Sequence, residues 1–156
     1  MFRDEDSEQP TCNYRGQDKA HIEQNYLLAI DDEAGFYEKL VEKFGDDFVK
    51  MKRYDRVDFK STDDKVYIEF KKRRVSSNTY PSLIIGQDKI QFFDELMAKN
   101  PSVRCYYINE FIDGCVLSYK YKPRHKGGWE TSTHMKQPLY HIPVSSFKPF
   151  DTMRTL

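Results

Sequence analysis

The sequence has few cysteines, and their spacing does not suit a metal site. Cys12, Cys105 and Cys115 would leave one thiol over in any disulfide scheme, and no C-x-x-C pair occurs. The four histidines also lack the spacing of metal ligands. We therefore expect neither a zinc centre nor a disulfide framework, and a reducing intracellular compartment such as the cytoplasm is the simplest assumption.

The sequence also lacks long apolar runs and nucleotide-binding glycine patterns. No apolar stretch approaches the ~18 residues of a membrane span, so no membrane partner is expected. Walker, dinucleotide and H-E-x-x-H patterns do not occur, which leaves those cofactor and metalloprotease classes without support. The 25 basic residues balance the 25 acidic residues, so the net charge predicts no partner.

The length and the aromatic content indicate one folded domain. A chain of 156 residues with 15% aromatic residues can bury a sizeable core. Residues 1–17 are polar and predict a flexible tail. Residues 18–150 predict a single domain, and residues 151–156 predict a short C-terminal tail.

Hydrophobic periodicity predicts a helix in the first third of the chain. Apolar residues recur every three or four positions between Phe36 and Phe44, as on one face of a helix. Asp31 or Asp32 can cap the start of this helix. Gly45 can end it.

Three short segments of alternating polarity follow the helix. They are residues 48–54, 56–61 and 65–73, and each predicts a strand. Because side chains alternate across a strand, Val57 and Phe59 should face the helix. By the same alternation, Asp58, Glu69 and Lys71 should lie together on the opposite face of the sheet.

The remaining sequence predicts a second helix and further strands. In order, the elements are a loop at 75–82, a helix at about 86–98, a hairpin turned at Asp113-Gly114, a polar loop at 122–137 and a final edge strand at 139–144. The sequence of elements indicates a mixed α/β fold in which helices flank a central sheet.

The grouping of two acids and one lysine suits phosphate chemistry. Asp58 and Glu69 supply hard oxygen ligands of the kind that Mg²⁺ prefers. Lys71 would lie beside Glu69, where its ammonium can orient an attacking water or stabilise charge that builds on phosphate oxygens. The alternative is that Glu69 and Lys71 are a solvated surface pair.

The segments "VDF" and "YIEFKKR" resemble the PD-(D/E)xK nuclease superfamily, which includes restriction endonucleases and Holliday-junction resolvases. The resemblance covers residues 31–111, and Val57 stands where the family often has a proline. It implies a restriction-endonuclease-like αβββαβ core. It further implies that Asp58 and Glu69, with the Phe70 backbone carbonyl, hold Mg²⁺ or Mn²⁺ and that Lys71 is the catalytic lysine.

Five further residues are candidates for the same site. The family often places a glutamate on the first helix, and Glu33 lies on the inward stripe of that helix. By resemblance, Lys89 or Gln87 would contact nucleic acid from the second helix. Arg73 is in phase with Lys71 and would meet the next phosphate, and Tyr80 would stack on a base. The alternatives are a charge at a helix start for Glu33, snorkelling for Lys89 and a plain loop for Tyr80.

The resulting prediction is a metal-dependent endonuclease or resolvase-like hydrolase that cleaves the phosphodiester bonds of nucleic acid, with DNA as the expected partner. A homodimer would match the two strands of a duplex. The basic and aromatic residues at 119–129 predict either an arm that binds nucleic acid or a solvated hairpin tip. Two other functions stay open, a catalytically inactive DNA-binding module on the same fold and a protein-interaction domain.

Overall fold

The computed structural model describes residues 19–52 and 55–156, and it describes only the backbone of residues 19–23, 25, 26 and 29. The predicted tail at residues 1–17 lies outside these ranges. No helix in the described ranges is long and apolar enough to cross a membrane.

Helix α1, Lys19–Phe44, is one continuous helix of 26 residues. The predicted start at Asp31 or Asp32 is wrong, because the helix begins earlier and both aspartates lie in its interior, where no proline interrupts the backbone. Gly45 ends the helix as predicted. Its φ of 89° is in the left-handed region, and its N–H donates to the Val41 carbonyl at 2.7 Å.

In residues 45–52 and 55–156, nine strands and a second helix follow α1. The strands are β1 Phe48–Lys50, β2 Phe59–Ser61, β3 Val66–Lys72, β4 Ser82–Gly86, β5 Arg104–Glu110, β6 Val116–Lys120, β7 Glu130–His134, β8 Gln137–Pro143 and β9 Lys148–Pro149. Helix α2 is Gln87–Lys99, and short 3₁₀ helices are Pro123–Gly128, Val144–Ser146 and Phe150–Thr152. The three strands after α1 and the helix near residue 90 confirm the prediction.

The central sheet has six strands in the order β1-β2-β3-β5-β6-β9. Strands β1, β2 and β3 form an antiparallel meander, and β5 is parallel to β3. The connection between the two parallel strands passes through α2, as a parallel crossover requires. Helix, three strands, helix and strand therefore form an αβββαβ core, which confirms the predicted mixed α/β fold.

A second sheet of three antiparallel strands has the order β4-β8-β7. A strand is present near the predicted 139–144, but its predicted edge position is wrong, because β8 lies in the centre of this sheet. The predicted loop at 122–137 contains a 3₁₀ helix and β7. Met135 and Lys136 turn the hairpin with φ angles of 51° and 67°, so this turn uses none of the glycine or asparagine residues that mark such turns in a sequence.

The central sheet buries apolar side chains on both faces. Helix α1 covers one face, where the buried residues include Phe36, Leu40, Phe59, Ile68, Phe70 and Ile108. Helix α2 and the second sheet cover the other face, where they include Val57, Ile85, Ile90, Phe93, Tyr107 and Ile142. Val57 does not share a face with Phe59 as predicted, because residues 55–58 form bends and side chains do not yet alternate there.

The last residues of the chain pack against the central sheet. Phe150 is buried in the core under α1, and Met153 and Leu156 lie against it. The Arg104 Nε donates to the Leu156 carbonyl at 2.9 Å. Residues 151–156 thus contact the core rather than extend away from it.

Candidate active site

Asp58 lies at the point where the chain enters β2, next to β3. Its N–H donates to the Ile68 carbonyl at 3.1 Å, and its carbonyl accepts from the Met51 N–H at 2.8 Å. The Oδ2 oxygen accepts from the Phe70 N–H at 2.7 Å. The Asp58 side chain, just before β2 begins, therefore accepts a hydrogen bond from a backbone N–H of β3. This bond fixes the Asp58 carboxylate beside Glu69 on β3.

Glu69 lies in the middle of β3, with only 16% of its side chain exposed. Within the described part of the chain, its buried Oε1 oxygen has no hydrogen-bond partner. The Lys89 Nζ on α2 is 3.5 Å from this oxygen, which is an ion-pair contact rather than a good hydrogen bond. The same ammonium donates to the Arg56 carbonyl at 2.8 Å.

The three predicted acids affect one another's ionisation: Glu33 acts on Asp58, and Asp58 acts on Glu69. Burial, reinforced by the Glu33 carboxylate, raises the pKa of Asp58 to about 6 although the Phe70 N–H opposes the shift. Burial, reinforced by the Asp58 carboxylate, raises the pKa of Glu69 to about 8 although Lys89 and Lys71 oppose it. A cluster of this kind costs free energy to ionise unless more positive charge arrives.

Glu33 reaches the cluster from α1, and a lysine holds it there. Its Oε1 is 3.3 Å from the Lys50 Nζ on β1, and its carboxylate is close enough to Asp58 to raise the pKa of that residue. Lys71 is exposed on β3 and lowers the pKa of Glu69 by Coulombic attraction. The structure thus brings Glu33, Asp58, Glu69, Lys71 and Lys89 together.

The donor set of this cluster fits a hard divalent cation. In residues 19–52 and 55–156, no group of three or more histidines, cysteines or acids is close enough to form a metal site by itself. Mg²⁺, however, commonly binds through one or two carboxylates and completes its shell with waters and substrate phosphates. The unsatisfied Glu69 oxygen beside Asp58 matches that need.

The side chains of Phe70 and Arg73 contact other residues of the fold. The Phe70 ring stacks on Phe36 at a centroid distance of 4.5 Å, on the face opposite Glu69. The Arg73 guanidinium donates to Asn109 Oδ1 at 2.6 Å, to the Ile84 carbonyl at 2.8 Å and to the Tyr107 hydroxyl at 2.6 Å. The Phe70 carbonyl as a ligand and Arg73 as a phosphate contact both stay predictions.

Tyr80 and Gln87 do not contact the carboxylates. Tyr80 lies in the loop before β4, with 55% of the residue exposed. Gln87, the first residue of α2, borders a surface cavity of about 480 Å³ together with the β7–β8 turn, and no member of the carboxylate cluster lines that cavity. Their contacts with nucleic acid also stay predictions.

The basic segment at 119–129 is packed against α2 rather than extended. The Tyr121 hydroxyl donates to Asp94 Oδ1 at 2.6 Å, and the Lys126 Nζ donates to Asp94 Oδ2 at 2.5 Å. Tyr119 is buried and contacts Trp129 edge-on at a centroid distance of 5.7 Å. These aromatic rings belong to the core, so they are not available to stack on bases.

Two features of the site were missed from the sequence. The Arg56 carbonyl anchors Lys89, and a backbone atom leaves no signal in a sequence. Asn109 is fully buried on β5 beside Lys71, and its Nδ2 has no partner among the described residues. The signal for Asn109 was present, because an amide within the apolar run "CYYINEF" is expensive to bury.

The αβββαβ order, the antiparallel meander and the parallel β3–β5 pair together define the architecture. These features form the αβββαβ core that the sequence resemblance implies. No protein-family model and no curated protein matches the chain. A solved structure of Hjc, a Holliday junction resolvase from the archaeal hyperthermophile Archaeoglobus fulgidus, is similar with 15% identity and a TM-score of 0.42, over 71% of this chain and 86% of that chain.

Glu69→Gln is expected to stabilise the metal-free protein at alkaline pH. The pKa of Glu69 is raised from 4.5 to about 8 in the folded state, so the folded state binds more protons than the unfolded state between these values. Wild-type stability should therefore fall, relative to the variant, as pH rises through that window, by on the order of 1–3 kcal/mol. Denaturant unfolding at pH 5 to 9 in the presence of chelator measures the difference.

Glu42→Gln is the matched control, because Glu42 is exposed on α1 outside the cluster. It should follow the wild-type pH dependence. If the difference in the free energy of unfolding between wild type and Glu69→Gln stayed constant across this pH range, Glu69 would ionise in the folded protein without a loss of stability.

Proposed function

We propose that the protein is a metal-dependent nuclease that hydrolyses phosphodiester bonds of DNA. One observation supports this most strongly: two carboxylates with raised pKa values lie together beside an exposed lysine, and a buried oxygen of one of them lacks a hydrogen bond within the described residues. Such a group is costly to the fold and becomes favourable when a cation and a phosphate neutralise it.

Asp58, Glu69 and the Phe70 carbonyl would hold Mg²⁺ or Mn²⁺. The bound cation would supply a Lewis acid for a phosphate oxygen and make water more acidic. The Phe70 N–H fixes the Asp58 carboxylate, so this ligand needs no rearrangement to bind. Glu33, held by Lys50 next to Asp58, would accept a hydrogen bond from a water in the same space.

Lys71 would be the catalytic amine. Its side chain is exposed where a phosphodiester can approach, and it lies within the electrostatic field of Glu69. The ammonium would orient the water that attacks phosphorus in line with the leaving oxygen. As the new P–O bond forms and the old one breaks, the ammonium would also stabilise the charge on the phosphate oxygens.

The surrounding residues would position the nucleic acid. Lys89 and Gln87 on the first turn of α2 and the exposed Tyr80 would contact phosphates and a base. Arg73 donates through Nε and Nη2 within the fold, so it would contact a phosphate through Nη1 or by exchanging one of these hydrogen bonds. A homodimer would place one such site on each strand of a duplex.

A substrate panel tests the proposed activity. Linear, nicked, branched and single-stranded DNA, with RNA of matched sequence, would be incubated with Mg²⁺, Mn²⁺ or chelator. Cleavage of at least one DNA form with metal and none with chelator is expected. Binding without cleavage in every metal would instead favour an inactive DNA-binding module, and the absence of binding at low salt would favour a protein-interaction domain.

A further inference from the structure

Lys89 is a counter-ion that serves both carboxylates of the proposed metal site. Its Nζ lies 3.5 Å from Glu69 Oε1, and its positive charge lowers the pKa values of both Glu69 and Asp58. Lys50, in contrast, contacts the acid on α1, with its Nζ 3.3 Å from Glu33 Oε1. Lys89 therefore lies where a positive charge acts on both carboxylates of the pair.

The contacts of Lys89 also show how it can leave Glu69. An ammonium has three donors, and the Arg56 carbonyl accepts one of them at 2.8 Å. The contact with Glu69 is too long for a good hydrogen bond, so separating the two groups breaks only an ion pair. The anchor on Arg56 keeps the ammonium at the edge of the site after that separation.

We infer that Lys89 is the resident cation of the carboxylate pair and competes with the divalent ion for Glu69. This inference rests on the proposed function. A divalent ion held by Asp58 and Glu69 would repel the ammonium, and Glu69 would bind it through the same Oε1 oxygen that Lys89 now faces. Lys89 thus limits the affinity of the site for the metal. In the metal-free protein it partly neutralises the negative charge of Asp58 and Glu69.

The test is a calorimetric titration of Ca²⁺ and Mn²⁺ into wild-type protein and Lys89→Gln, without nucleic acid, at pH 8. Removing the competing charge should lower the Kd of both ions by about tenfold, which corresponds to about 1.4 kcal/mol. The effect should be no larger because the pair is partly exposed, so solvent screens its charges. The rise in unfolding temperature on adding Ca²⁺ should be larger for the variant. Lys89→Met, which keeps the apolar stem, should behave in the same way.

Lys99→Gln is the matched control, because it removes the same charge from the last turn of α2. Its Kd values should stay within about twofold of wild type. An unchanged or higher Kd in both Lys89 variants, with normal binding by wild type, would overturn the inference and leave the nuclease proposal intact. A lack of cation binding by wild type and variants alike would overturn both.

Discussion

Asp58→Asn is expected to reduce DNA cleavage by about 10³-fold, the scale at which preorganised electrostatic groups act in active sites. The substitution removes one of the two negative charges that would hold the cation. It keeps an oxygen that can accept from the Phe70 N–H, so the local backbone should persist. Because burial raises the pKa of Asp58, the neutral amide should leave the stability equal to or higher than that of wild type above pH 6.

Single-turnover cleavage of the preferred DNA with saturating protein measures this effect, and thermal unfolding of the same preparation reports on the fold. Asp55→Asn is the control, because Asp55 lies three residues away and its Oδ2 accepts from the Lys52 N–H at 2.7 Å. It should retain activity within about twofold, as surface substitutions usually do. Wild-type turnover by Asp58→Asn would contradict the assignment of the site.

Lys71→Met is expected to lower kcat by about 10²- to 10³-fold while KM for DNA changes little. The reason is that the ammonium acts on charge that develops only in the transition state, so its loss should not weaken ground-state binding. Lys71 also lowers the pKa of Glu69. The variant should therefore need a higher pH to reach its own maximal rate.

Rates measured at several DNA concentrations and from pH 6 to 9 separate these effects. Lys72→Met is the control, because Lys72 is the next residue on β3 and its Nζ lies 3.5 Å from Glu110 Oε2. It should keep both the rate and the pH profile. A Lys71 variant with normal kcat but a raised KM would indicate a residue that only binds DNA.

The sequence predicted the two faces of β3 correctly, because regular alternation applies there. Val66, Ile68 and Phe70 are buried against α1, so Glu69 and Lys71 must point to the other face of β3. The same rule failed for Val57, because the chain bends before β2 begins. Asp58 is nevertheless held beside Glu69, because its own side chain bonds the β3 backbone.

The elements that the sequence did not predict depend on contacts made far along the chain. Strand β4 is only five residues long and becomes a strand because β8 pairs with it. The contact between Lys89 and Glu69 joins α2 to β3, and helical periodicity cannot specify such a pair. Neither the strand β4 nor the contact between Lys89 and Glu69 has a local sequence signal that stands out from the neighbouring loop and helix patterns.

The most direct test of the central claim is a calorimetric titration of Mn²⁺ into wild-type protein and Glu69→Gln at pH 7, in two buffers of different ionisation enthalpy. Wild type should bind the ion and release protons, because carboxyls with raised pKa values must lose them to become ligands. Glu69→Gln should lose most of the binding and the proton release. Equal binding by the two proteins, without proton release, would contradict a cation site built on Asp58 and Glu69.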